Sequence, residues 1–144
     1  MIFSTVIGIC CKDGVVLGVE KLVEWKMMEE GTNQRIMSVD RHAGMAAAGW
    51  KPDARQFVHK ARSEAKDYLA FYGSRVPGHV LCERLSAHAH MNTMYWHLRP
   101  YGCSALLAVY DEKGAPNLWL IEPSGKSWVS GVCVANELWC VVKN

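Results

Sequence analysis

The sequence predicts an α+β domain in which two adjacent helices sit between two groups of strands. Three observations carry this. Stretches rich in β-branched and small apolar residues fill the first third of the chain and return after Gly102. Two long stretches with apolar residues at helical spacing lie between them. Several strands are apolar on both faces, which calls for a layer on each side of a sheet. The chain has 144 residues, and the whole of 1–144 reads as one domain with no repeat, linker or low-complexity segment.

"TVIGICC" and "VVLGVE" read as the arms of a hairpin, with "KDG" as the turn. "WKMMEEGTNQ" is polar and is a connection. "RIMSVD" and "AGMAAAG" follow as two short strands joined by "RH"; the second carries side chains small enough for close packing. The first helix is expected over "KPDARQFVHKARSEAKDYLAFYG". Pro52 is placed at its first position, Asp53 lies in its first turn, and Gly73 stops it. Its buried stripe runs from Ala54, Phe57 and Val58 through Ala61 and Ala65 to Tyr68, Leu69 and Tyr72. The second helix starts after Val76-Pro77 and is expected to reach His97, with Leu81, Leu85, Ala89, Asn92 and Tyr95 or Trp96 as its stripe. "RPYG" ends it, since the residue before proline disfavours helix. "CSALLAVY", "NLWLIE" and "KSWV" complete the strands, with "DEKGAP" and "PSG" as turns.

Half the residues are hydrophobic, 21% are charged and the net charge is +2. That balance suits a globular chain and is too mild to point to nucleic acid or an anionic membrane. No apolar run approaches the ~20 residues of a membrane span, and "MIF" lacks the features of a signal peptide. The expected location is cytoplasm and nucleus. There, the six cysteines read as small core hydrophobes with free thiols.

Few residues suggest chemistry. His79 and Cys82 are three apart on a helix and could share an ion, but two ligands do not make a structural zinc site. His88 and His90 diverge around the helix, and no metal or cofactor is expected. Neither GxSxG nor a phosphate loop is present. Ser4 and Thr5 stand ahead of the first strand, where a hydroxyl residue can be a nucleophile if its own α-amine is free. Met1, Ile2 and Phe3 precede them, so neither owns that amine unless those residues are removed.

Taken together, "STVIGICCKDGVVLGVEK", "EEGTNQRIMSVDRHAGMAAAG", "GWKPDARQFVHKARSEA", "RPYGCSALLAVYDEKG" and "LWLIEPSGKSW" resemble a proteasome alpha subunit, in the family's own order and most like the alpha type-3 class. The resemblance covers residues 4–128; residues 129–144 diverge. It implies a four-layer αββα sandwich, and a non-catalytic structural subunit of the outer seven-membered ring. Such a subunit contributes to assembly, gating and activator docking in ubiquitin-dependent protein degradation. The implied partners are other alpha subunits, beta subunits and the regulatory particle or other activators. The catalytic beta relatives carry threonine, aspartate and lysine where this chain has Ser4, Glu20 and Arg35. Arginine stays protonated and cannot act as a depressed lysine does. No catalytic residue is expected.

The same resemblance marks Arg35, Gly49 and Trp50 as an activator pocket, in which Arg35 would offer a forked donor to a C-terminal carboxylate. The alternative is a surface arginine paired with Glu29 or Glu30. Asp53, Arg55, Arg99, Pro100, Gly102, Pro123 and Gly125 stand out as structural marks of the family. The family's gating tail, its first helix and its later helices and closing strands find no match, so the sandwich is expected to be incomplete. A second reading is therefore a truncated fragment that is not incorporated, or acts as a competitor. A third is an active N-terminal-nucleophile protease.

Overall fold

The computed structural model describes residues 5–20, 25–29, 31–32, 34–111, 116–135 and 140–143. β1 (Val6–Cys11) and β2 (Gly14–Val19) form the expected hairpin. β3 (Ile36–Asp40) and β4 (Ala43–Gly49) follow, then α1 (Lys51–Tyr72) and α2 (Gly78–Met94). β5 (Cys103–Tyr110), β6 (Pro116–Ile121) and β7 (Ser127–Val129) return to the sheet. β8 (Val132–Ala135) and β9 (Cys140–Lys143) complete the described strands.

The strands make two sheets. One is five-stranded, in the order β3-β4-β5-β6-β7; the other is four-stranded, in the order β2-β1-β8-β9. The alternation of side chains along β4 and β5 sorts the core into two layers. Met45, Ala47, Leu107 and Val109 face the helix pair and meet Phe57, Val58, Leu81 and Leu85. Ala46, Ala48, Leu106 and Ala108 face the other way and meet Val6, Leu118, Leu120 and Cys133 between the sheets. β4 carries small side chains because it is packed on both faces. β1 also approaches closely: a Cβ on Gly8 would come within 2.8 Å of the Leu118 side chain.

The fold is thus α+β, and three layers are seen among the described residues: helix pair, five-stranded sheet and four-stranded sheet. Cover on the outer face of β1 and β2 was expected, but Ile7, Ile9 and Val16 are exposed there. Beyond the resemblance expected over 4–128, β8 and β9 form, and β8 pairs with β1 through Val6↔Ala135 and Ile9↔Val132.

Three local readings also change. Pro52 is the second helical residue, after Lys51. The stripe of α1 stops short: its fully buried residues end at Ala65, and Leu69 and Tyr72 are exposed. α2 ends at Met94, three residues before His97, and Tyr95 takes an extended backbone. Tyr95 and Trp96 are consequently exposed instead of extending its buried face. Gly73 closes α1 as expected, with φ of 67° and its N–H on Leu69 O at 2.9 Å. Of the cysteines, Cys82, Cys103 and Cys133 are buried, Cys10 is half-buried and Cys11 is exposed. No helix among the described residues is long and apolar enough to cross a membrane.

Candidate functional site

The β4–α1 turn and the "RPYG" turn meet at one end of the five-stranded sheet. β4 and β5 are paired up to Gly49↔Cys103, so the chain leaving β4 lies beside the chain entering β5. Trp50 N–H donates to Gly102 O at 2.9 Å. Gly49 has φ of 122°, a region that favours glycine, and a Cβ there would sit 2.3 Å from Gly102 O. Replacing Gly49 by alanine is therefore expected to cost about 2 kcal/mol or more, from strain and overpacking together. A thermal melt unchanged from the parent would contradict this.

Asp53 binds the two turns to each other. Its side chain is nearly wholly buried, and it accepts two hydrogen bonds from the Arg99 guanidinium, each at 2.7 Å, and one from Gly102 N–H at 2.8 Å. Those bonds from Arg99 first, and then from Gly102, hold its carboxyl below the usual carboxylate range although burial pushes the other way. Arg99 also lies over the Trp50 ring at 5.7 Å. Tyr101 packs edge-on against Phe57, and its hydroxyl meets His88 Nε2 at 3.0 Å. Burial lowers the pKa of His88 and raises that of Tyr101. The Cys103 thiol is pushed up to about 12 by burial, then by the nearby Asp53 charge. It stays protonated at neutral pH and is a poor nucleophile.

Arg35 is 7% exposed, and its guanidinium donates to Gly49 O at 2.7 Å. That burial rules out the surface arginine considered above. The expected trio is brought together only in part. Gly49 and Trp50 line a cavity of about 250 Å³ with Gly102 and Pro123. Arg35 instead lines a groove with Val19, Gln34 and Arg62.

The other marked residues divide similarly. Gly125, with φ of 84°, turns against α2, where a Cβ would meet His90 Cβ at 2.6 Å. Pro100 is exposed and offers its carbonyl to Arg99 at 3.1 Å. Arg55 is exposed and makes no hydrogen bond or ion pair among the described residues. Ser4 lies outside the described residues; Thr5 is at the start of β1, its carbonyl accepting from Glu20 N–H at 3.0 Å. No cluster of three or more possible metal ligands occurs among the described residues. The sequence reading missed the Tyr101–His88 bond and the bond from Arg62 Nε to Ser38 O at 2.9 Å. Neither has a signal in spacing.

These features define a scaffold whose polar groups bond one another and its own backbone, and comparison with known proteins gives its class. The profile described as proteasome subunit matches residues 3–135, so the chain belongs to the proteasome subunit family. Within that family it is similar to proteasome subunit alpha type-3 of Arabidopsis thaliana, 55% identical over 125 residues, which are 87% of this chain and 50% of the relative. The alpha type-3 subunit of Spinacia oleracea is 52% identical over the same shares, and that of Dictyostelium discoideum is 50% identical over 85% of this chain and 49% of the relative. The chain spans about half the length of the curated relatives it matches.

Proposed function

We propose that this chain acts as a non-catalytic alpha-type subunit of the proteasome core particle, in cytoplasm and nucleus, with other alpha and beta subunits as neighbours. Assembly, gating and docking of activators in ubiquitin-dependent degradation are its roles in this reading. It is read as one domain with an incomplete four-layer αββα plan. The observation that carries the non-catalytic reading is Arg35. It stands where the catalytic relatives have lysine, and its guanidinium is buried on Gly49 O. A permanent cation held on a carbonyl cannot take up a proton from a nucleophile at neutral pH. Glu20 in place of aspartate supports the same reading.

Activator docking at Gly49 and Trp50 is retained in this proposal, with the cavity they line as the receiving site. Arg35 contributes by holding Gly49 through its carbonyl.

The second reading, a fragment that stays outside the particle, is favoured by the exposed apolar face of Ile7, Ile9 and Val16. Native-gel co-migration separates the two. A tagged chain expressed in its own cells is expected in the core-particle band. Its absence from that band would favour the fragment. Peptidase activity of the purified chain, with Met1 to Phe3 removed, would overturn both and revive the protease reading.

A further inference from the structure

β3 is the outer strand of the five-stranded sheet, and its pairing with β4 shows which backbone groups are left for another strand. Ala47 N–H donates to Arg35 O at 3.1 Å, and the register continues through Ile36↔Ala46 and Met37↔Met45. Bonded and non-bonded pairs alternate along an antiparallel ladder. Arg35 and Met37 therefore turn their N–H and C=O toward β4, while Ile36 and Ser38 turn theirs outward. One of those outward groups is engaged from α1: Arg62 Nε donates to Ser38 O at 2.9 Å. Arg62 has no carboxylate within ion-pair distance among the described residues.

Two grooves border this edge. One, of about 490 Å³, lies toward the four-stranded sheet and is lined by Val15, Leu17, Ile36 and Ala108, with Asp40 and Arg41 beside them. The other, of about 500 Å³, reaches Arg62. Met37 and Val39 pack toward the helix pair, so the two sides of a strand laid along β3 would meet different surroundings. Side chains on one side would lie over Val15 and Leu17. Those on the other would face α1 and the Arg62 guanidinium.

We propose that the β3 edge accepts an extended segment of a partner protein in which apolar and acidic residues alternate, the acidic side chains being held by Arg62. Backbone bonds to the N–H and C=O of Ile36 and to the N–H of Ser38 supply the pairing, and the alternation supplies the choice. A second copy of this chain fits less well, because β3-to-β3 pairing would bring two Arg62 side chains together. The irregular register between Ser38 and Asp40 limits the added strand to a short stretch. The proposal is independent of incorporation into a core particle.

The test uses the full chain and a fluorescein-labelled, blocked heptapeptide of alternating valine and glutamate, read by anisotropy at low ionic strength. Lysine in place of glutamate is expected to weaken binding about three- to fivefold, the size of an exposed ion pair. Arg62→Gln should erase that difference; Arg62 is on the surface of α1, so the fold survives. Ile36→Pro removes an outward N–H without breaking a ladder bond, and should abolish binding while circular dichroism stays unchanged. Equal binding of a scrambled peptide of the same composition would overturn the proposal. So would retained binding by Ile36→Pro, or no binding to the parent at millimolar peptide.

Discussion

Replacing Asp53 by alanine should lower the thermal midpoint of the chain by about 10 °C. The carboxylate is 2% exposed and receives three charge-assisted hydrogen bonds. Its removal leaves Gly102 N–H without its partner and frees the turn that Arg99 holds. Hydrogen bonds to a charged group contribute about 1.5–3 kcal/mol, and an orphaned buried donor costs a similar amount. A loss of about 2–3 kcal/mol in a chain of this size corresponds to that shift. The same group gives a pH dependence of known sign. An unfolded aspartate titrates near ~3.9, and Asp53 in the fold titrates lower. Its stabilisation is therefore complete above about pH 4 and is lost as pH falls through the folded value.

Asp53→Asn keeps the shape and an acceptor for Gly102 but removes this titration. Its stability curve should lie below the parent at neutral pH and approach it in acid. Glu64, lowered first by Lys60 and then by Arg84, leaves a residual slope in both proteins. Parallel curves down to pH 2 would contradict the assignment.

The isolated chain is expected to self-associate at micromolar concentration through the outer face of the four-stranded sheet. Register places Ile9 opposite Val16 on one side and Val132 on the other, and Ile7 opposite Gly18 and Val134. Ile7, Ile9, Val16 and Val132 are 40–61% exposed, in a row without a charged side chain among the outward residues of β1, β2 and β8. Contiguous apolar patches of this kind drive association, and the open edge of β2 adds to it. Sedimentation velocity should show species heavier than a monomer. Ile9→Lys, at the centre of the row, should shift the population toward monomer, because a lysine stem covers apolar surface while its head stays in water. A sharp, concentration-independent monomeric transition in the parent chain would sink this expectation.

Much of the fold was legible because its signals are local. The hairpin β1–β2 announces itself by two β-branched arms and "KDG". α1 announces itself by spacing, Pro52 and Gly73. The end of α2 was not legible, since "MYWHLRP" continues an apolar pattern that the chain abandons at Tyr95. β8 escaped notice for a different reason: Val132–Ala135 is too short to stand out, and it becomes a strand by adding to β1 more than 120 residues earlier.

The sequence by itself determined the family, the element order from β1 to β7 and which turns carry "GWKPDAR" and "RPYG". Only the tertiary structure decided that Arg35 turns inward to Gly49 while Arg99 binds Asp53 across 46 positions of chain. It alone decided that Arg62 reaches the outer strand at Ser38. Helical and strand periods are written in near neighbours, whereas the partner of a charged side chain is set by which distant backbone the packed layers bring within hydrogen-bond reach.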